Sequence, residues 1–396
     1  MIKKVAIIIE RVDVSLGGAE RSMFEVVSAL SSLGLQVDLL AAKGQATAAN
    51  IHILCSDVPE KRVSLPIFAE ALRRHVSQMD YDIVHSVLPF TGIDLYQPRG
   101  GTYAESALRN AASYRNPLVR RWKQTTVFAN RRRAKLLRAE RQCCHGLNGP
   151  IISALSRYVV EQLRRHYATD PRRIVRMLNG VDTDRRIDTN IMKDFRPQVL
   201  ARLGIQGTRE PVLFLFAAHN FRLKGLCPLI QAMQVAGKTG MERPACLAVA
   251  GAGKSNGYRR LAKRLGVEDR VLFLGPVPDI GSILPAIDVG VLPTFCDASS
   301  RFILEALAAG KAVITTHFNG AIDHFTDGRH GTVIDSPDNI PALADAIRYY
   351  ASAANIEKTS QAIAEDNLRA NISSRRVAKE LVRVYEAIAQ SRKRSP

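Results

Sequence analysis

The run Val212-Leu-Phe-Leu-Phe-Ala217 is followed at once by Ala218-His-Asn-Phe-Arg-Leu-Lys-Gly225. Apolar residues in sequence, without alternation, read as a strand buried on both faces, the kind found in parallel sheets covered by helices. The loop behind it puts Arg222 and Lys224 at the strand's carboxyl end, where open α/β sheets bind ligands. Two cations there suit a diphosphate, whose charge must be stabilised as it leaves. An ordinary basic loop is the competing reading.

Outward from this stretch, residues 246–250, 271–274, 289–293 and 312–315 read as further short strands. The first half repeats the pattern at 5–9, 36–41, 51–54 and 83–86, with helical segments between. Short apolar strands alternating with helices predict an α/β chain of two Rossmann-like parallel-sheet domains facing a cleft. Residues 179–203 are polar and poorly periodic, so the expected division is 1–182, 183–374 and a last helix and tail, 375–396, crossing back to the first domain. That helix is expected over 375–390, with a frayed basic tail behind it.

Composition narrows the class. The chain has 396 residues, 46% hydrophobic and 23% charged, as in ordinary globular proteins. A disordered chain, a collagen and a small disulfide scaffold are excluded. No apolar run approaches the roughly 20 residues of a membrane-spanning helix. The apolar run at 5–9 ends at Glu10 and is too short for a signal-peptide core, which leads to the expectation of a cytoplasmic protein. The six cysteines lack zinc-type spacing and are expected as reduced, small core residues.

Charge is the unusual feature: 56 Lys and Arg against 37 Asp and Glu, a net +19. Between Glu105 and Arg176 there are 17 basic residues and four acids, so thirteen of those net charges fall in 72 residues. The part from Leu118 to Arg141 has helical composition and holds the only tryptophan, Trp122, with Leu118, Val119, Val127, Phe128, Leu136 and Leu137. A basic helix bearing Trp and Phe suits an anionic membrane surface. The alternative is a solvated helix whose apolar residues face the core. Nucleic acid is not expected, because no RNP pattern or zinc finger accompanies the charge.

Two further segments carry chemistry. Gly17-Gly18-Ala19-Glu20 follows the first strand and opens a helix, so its backbone can approach an anion. It is not a GxGxxG fingerprint, and a plain tight turn is the alternative. The second is Pro293-Thr-Phe-Cys-Asp-Ala-Ser-Ser-Arg-Phe-Ile-Leu-Glu305. Asp297 is expected in the loop, with Ser299 and Ser300 capping a helix that carries Glu305. That helix would point free N–H groups at an anion, and the two carboxylates would accept hydrogen bonds from sugar hydroxyls. The competing reading makes both acids solvated surface residues.

In this order, with Asn179-Gly-Val-Asp182, Val249-Ala-Gly-Ala-Gly253 and Val271-Leu-Phe-Leu-Gly275, these segments resemble the retaining glycosyltransferases of family 4, which have the GT-B fold. The Phe221–Gly225 form is most similar to the branch that builds the lipopolysaccharide core, near its glucosyltransferases. The resemblance implies a nucleotide-diphosphate sugar donor held mainly by the C-terminal half, and transfer of a hexose to a lipid-linked or cell-envelope glycan on the inner face of the cytoplasmic membrane. It implies Glu305 on the donor ribose and Asp297 on hydroxyls of the transferred sugar. Gly17, Gly18, Ser300, Arg301 and Phe302 would help hold the donor, and Arg222 and Lys224 its diphosphate. No resident cofactor or metal is expected, and transfer would occur on the front face with retention. The chain departs from the family pattern twice. Asp297 stands where Glu is usual, one methylene shorter. Gln97-Pro-Arg-Gly-Gly101 occupies the place where a His commonly faces the acceptor, making Arg99, with His85 nearby, the acceptor-side candidate, although a His at a strand end is more often a core or cap residue. A GT-B epimerase or phosphorylase, or a non-catalytic glycan- or membrane-binding relative, are the alternatives.

Overall fold

The apolar runs pair side by side as parallel strands in a computed structural model that describes residues 2–12, 18–58, 63–126, 130–205, 210–238 and 240–394. The first sheet comprises β1 (Lys4–Val12), β2 (Gln36–Gly44), β3 (Ile51–Ile53), β4 (Ile83–Ser86), β5 (Leu95–Tyr96), β6 (Ile151–Ala154) and β7 (Ile174–Arg176), in the order β3-β2-β1-β4-β5-β6-β7. The second comprises β8 (Val212–Ala217), β9 (Ala245–Ala250), β10 (Val271–Gly275), β11 (Val289–Leu292), β12 (Ala312–Thr316) and β13 (Gly331–Ile334), in the order β10-β9-β8-β11-β12-β13. All pairings between these strands are parallel. Each sheet grows one way from its first strand and then the other. The reversal falls between β1 and β4 in one sheet and between β8 and β11 in the other. At such switch points the loops diverge and leave a crevice.

By its contacts the chain forms two compact units. The first is Met1–Ala111, Asn116–Asp182 and Ser373–Pro396; the second is Ala112–Arg115 and Thr183–Ile372. Four residues from the first half of the sequence, 112–115, thus belong to the second unit, which apolar periodicity gives no means of seeing. The polar stretch before β8 is not loop throughout: Thr189–Arg202 is a helix, with Asp188 accepting from the backbone N–H of Asn190 and Ile191. The last helix runs Ser374–Arg394, longer than its apolar period marks, so the basic tail continues the helix. Val377, Ala378, Leu381, Tyr385 and Ile388 recur at helical spacing and bury against β1 and the helix Gly18–Ser32 in the first unit's core.

The basic stretch is two helices, Pro117–Thr125 and Arg131–Cys144, where one was expected. Asn116 and Asn130 cap them, accepting from Leu118 and Arg133 N–H at 2.9 and 3.0 Å. Val127 and Phe128 lie outside the described residues. Helix Pro117–Thr125 buries none of its residues; Leu118 is 77% and Trp122 58% exposed. Its apolar side chains therefore do not face a core. Helix Arg131–Cys144 does, through Leu136, Glu140, Cys143 and Cys144. All six cysteines are free thiols, and all but Cys227 are buried.

Two fully buried glutamates hold the helices around this stretch. Glu105 receives Arg109, Arg165, His166 and Tyr158. Burial alone would raise its carboxyl, but these hydrogen bonds keep it down at about 2. Glu140 receives the hydroxyls of Tyr96 and Tyr167 and the N–H of Tyr103. Here burial wins over neutral donors, and the carboxyl is pushed up to about 7.

Candidate functional site

At the carboxyl end of β8 the chain turns through residues 218–225. Asn220 shapes the turn: its side chain accepts from Leu223 N–H and its carbonyl from Lys224 N–H, at 3.2 and 3.0 Å. Phe221 is buried edge-on between Phe216 and Tyr258. Two glycines make the packing possible. Gly225 has φ +82°, and a Cβ there would lie 1.9 Å from Pro293 O. Gly251, in the turn after β9, has φ +139°, and its Cβ would lie 1.9 Å from Ala218 O. Neither a left-handed backbone nor so close an approach tolerates a side chain.

The turn is then stitched to the loop after β11. Leu223 O accepts Phe295 N–H at 2.9 Å and Thr294 Oγ1 at 3.3 Å. This register carries Lys224 to Asp297: Nζ is 2.5 Å from Oδ2 and donates to Cys296 O at 2.9 Å. Both side chains are about four-fifths buried. Arg222 goes elsewhere. Its guanidinium lies 3.8 Å from the Tyr114 ring centroid and donates to Ser113 Oγ. The two cations of the motif, both expected on a diphosphate, thus take different partners here.

Helix Arg301–Ala308 starts at Ser300, but no side-chain cap forms. Instead Ser299 N–H donates to Asp297 Oδ1 at 3.3 Å and Ser300 N–H to Asn319 Oδ1 at 3.0 Å. The expectations that serine caps the helix and that Ser300 N–H holds an anion are both corrected. An asparagine nineteen residues away takes the Ser300 N–H instead, a contact with no local sequence signal. Arg301 and Phe302 remain in the helix's first turn, whose N–H groups have no partner within the helix. One turn on, Glu305 accepts Arg301 Nε at 2.7 Å, with both side chains mostly buried. Glu305 is therefore not a solvated surface residue. In the second unit Lys224, Asp297 and the start of helix Arg301–Ala308 thus meet at the β8/β11 switch point.

In the first unit Gly17 lies outside the described residues, and Gly18 begins helix Gly18–Ser32. Arg99, in the loop after β5, donates to Gln97 Oε1 at 2.7 Å, to Asn179 Oδ1 at 2.9 Å and to Ser22 Oγ. Gln97 in turn donates to Ser153 Oγ at 2.9 Å. These partners join the loops after β5 and β7, strand β6 and the first helix, and fix one guanidinium at the carboxyl side of the sheet. His85 is not an acceptor-side residue. It is fully buried, with Nδ1 2.8 Å from Tyr385 Oη of the last helix. Burial, and next the charge of Arg99, push its ring down to about 3, so it stays neutral.

Solved structures share this architecture. The lipopolysaccharide biosynthesis glycosyltransferase WaaG superposes with a TM-score of 0.71 at 20% identity, over 96% of this chain and 99% of that one. Anabaena HepE in complex with UDP-glucose superposes at 0.69 and 14% identity, over 97% and 99%. The fold is GT-B. Residues 16–185 match the family model for Glycosyltransferase Family 4, and residues 210–352 that for Glycosyl transferases group 1. The chain belongs to the glycosyltransferases of this family and is a glycosyltransferase. Escherichia coli lipopolysaccharide glucosyltransferase WaaG is 24% identical over 336 residues, 84% of this chain and 85% of WaaG.

Proposed function

We propose that the chain is a retaining hexosyltransferase that takes a nucleotide-diphosphate sugar in its second unit and serves a lipid-linked or cell-envelope glycan acceptor of the lipopolysaccharide-core kind. The observation that carries this reading is the Lys224–Asp297 pair beside the first turn of helix Arg301–Ala308. A cation and a helix N-terminus suit a diphosphate, and a neighbouring carboxylate suits sugar hydroxyls. An incoming diphosphate would draw Lys224 to itself and release Asp297 to accept from the sugar. Glu305 would accept from the ribose. The bond from the anomeric carbon to the diphosphate breaks while the acceptor oxygen bonds on the same face. The acceptor's proton passes to the leaving phosphate oxygen, and Lys224 and the helix dipole stabilise the charge that develops there. No resident metal or cofactor enters this scheme.

Arg99 is the acceptor-side candidate that keeps its place, and the UDP-glucose bound by the fold relative HepE makes that the first donor to try. The exposed Leu118 and Trp122 among basic residues support seating of the first unit on the anionic inner face of the cytoplasmic membrane. No described helix is long and apolar enough to cross a membrane. A thermal-shift screen across nucleotide sugars tests the donor: the right one raises the melting temperature by mass action. NMR of the product then reads its anomeric configuration. An inverted product, or no donor that shifts the melting temperature, defeats the proposal.

A further inference from the structure

Asn319 lies in the loop after β12 and is completely buried, yet every polar atom of its side chain is used. Oδ1 accepts Ser300 N–H at 3.0 Å and Ala321 N–H at 3.1 Å. Nδ2 donates to Thr315 Oγ1 at 2.9 Å, and that hydroxyl donates on to Leu292 O at 2.8 Å, at the end of β11. The adjacent hydroxyl, Thr316 Oγ1, donates to Thr294 O at 2.6 Å. Around this ladder the backbone locks Asp297 to the same loop: its N–H donates to Phe318 O at 2.8 Å, and its carbonyl accepts Gly320 N–H at 2.9 Å.

We propose that Asn319 is the positioning residue of the donor site: it fixes the first turn of helix Arg301–Ala308 and the Asp297 loop as one rigid frame, with a neutral group where the diphosphate's charge must be tolerated. The inference rests on the donor reading above. Its physical basis is that only an amide meets both demands. The helix start needs an acceptor, and serine does not supply one. A carboxylate would supply it too, and would bond the N–H groups more strongly, but would set a negative charge directly behind an anion site. The amide also needs its donor end for Thr315, whose own proton is committed to Leu292 O.

The test separates charge from structure. Titrate the wild-type chain, Asn319→Asp and Thr315→Val with each common nucleoside diphosphate and with the parent nucleosides, and record melting temperatures. Asn319→Asp keeps both acceptor bonds and should weaken the diphosphate by about tenfold or more, while nucleoside affinity stays within about twofold. A merely structural residue would move both ligands together. Thr315→Val removes the acceptor of the amide without adding charge and should weaken the diphosphate by about threefold. It decides the matter if Asn319→Asp does not fold. Equal diphosphate affinity in the wild type and in whichever variant folds overturns the role of Asn319. A wild-type chain that binds no nucleoside diphosphate overturns the donor reading first, and this inference with it.

Discussion

Lys224 Nζ sits 2.5 Å from Asp297 Oδ2 although 72 residues separate the two in the chain. The contact is built by the backbone: Gly225 lets the β8 loop press on Pro293, and Leu223 O holds Phe295 N–H. In the proposed reaction the lysine changes partner when the diphosphate arrives. Lys224→Met should therefore lower transfer by about a hundredfold or more, as loss of one charge-stabilising group does. Its cost in stability should be about 3 kcal/mol, because it leaves the mostly buried Asp297 carboxylate without its cation. Full activity in Lys224→Met would remove the lysine from the mechanism. Asp297→Glu restores the methylene that the family usually has, and should shift the relative kcat/KM among nucleotide sugars without abolishing turnover. An unchanged preference would detach Asp297 from the transferred sugar.

Glu305 makes a different prediction, since a ribose contact is the same before and during the reaction. Binding that is uniform between ground and transition state affects KM and leaves kcat alone. Glu305→Gln keeps shape and loses charge, including the pair with Arg301. The donor KM should rise about tenfold with kcat nearly constant. A fall in kcat at constant KM would place Glu305 at the reacting centre.

The two buried glutamates of the first unit should respond to pH in opposite senses. Glu140 has its carboxyl raised from an ordinary value of 4.5 to about 7. Between those values the unfolded chain loses a proton that the folded chain keeps. Glu140 therefore stabilises fully below about 4.5 and gives up that contribution as pH rises through 7, a loss on the order of 3 kcal/mol. Glu105, held at about 2, stabilises above its ordinary 4.5 and loses that contribution as pH falls toward 2. Glu140→Gln removes the first slope. Relative to wild type, its melting temperature should improve between pH 5 and pH 8. An identical offset at both values would show that Glu140 does not titrate with folding.

Much of the fold was legible because a parallel strand buried on both faces writes itself as an apolar run. β8 was read to the residue, and β9 to β12 within one or two. β5, β6, β7 and β13 were not picked out: at two to four residues a strand shows no period, and the equally short β3, β4 and β11 stood out by apolar content alone. At the site, Lys224, Asp297 and Glu305 lie in contiguous motifs that announce a loop and a helix start. Arg222 carries the same local signal, but what it touches is decided by Ser113 and Tyr114, far away in sequence. Asn319 had no signal at all: its effect lies in where β12 ends beside β11, a fact of register. Of the two readings open for His85, the core one holds: Tyr385, 300 residues on, closes over it, a partner that no local pattern names.

The basic half yields the last prediction, and Trp122 is its natural reporter. It is the only tryptophan in the chain and is 58% exposed, on a helix that also shows Leu118, Arg120, Arg121 and Lys123. An exposed indole emits at long wavelength; burial at the headgroup boundary shifts it to the blue. Each Lys or Arg brought to an anionic leaflet contributes about 1 kcal/mol, and that attraction decays within a Debye length of about 8 Å at physiological salt. Vesicles containing phosphatidylglycerol should therefore blue-shift the emission and sediment the protein, neutral phosphatidylcholine vesicles should do neither, and roughly 0.5 M salt should weaken binding severalfold. Trp122→Ser should keep part of the binding, because the charge remains. Substituting Arg120, Arg121 and Lys123 together by Gln should lose more. Equal binding to both vesicle types, or indifference to salt, would leave thirteen net positive charges between Glu105 and Arg176 without a membrane partner, and would move the search for their anion to the acceptor.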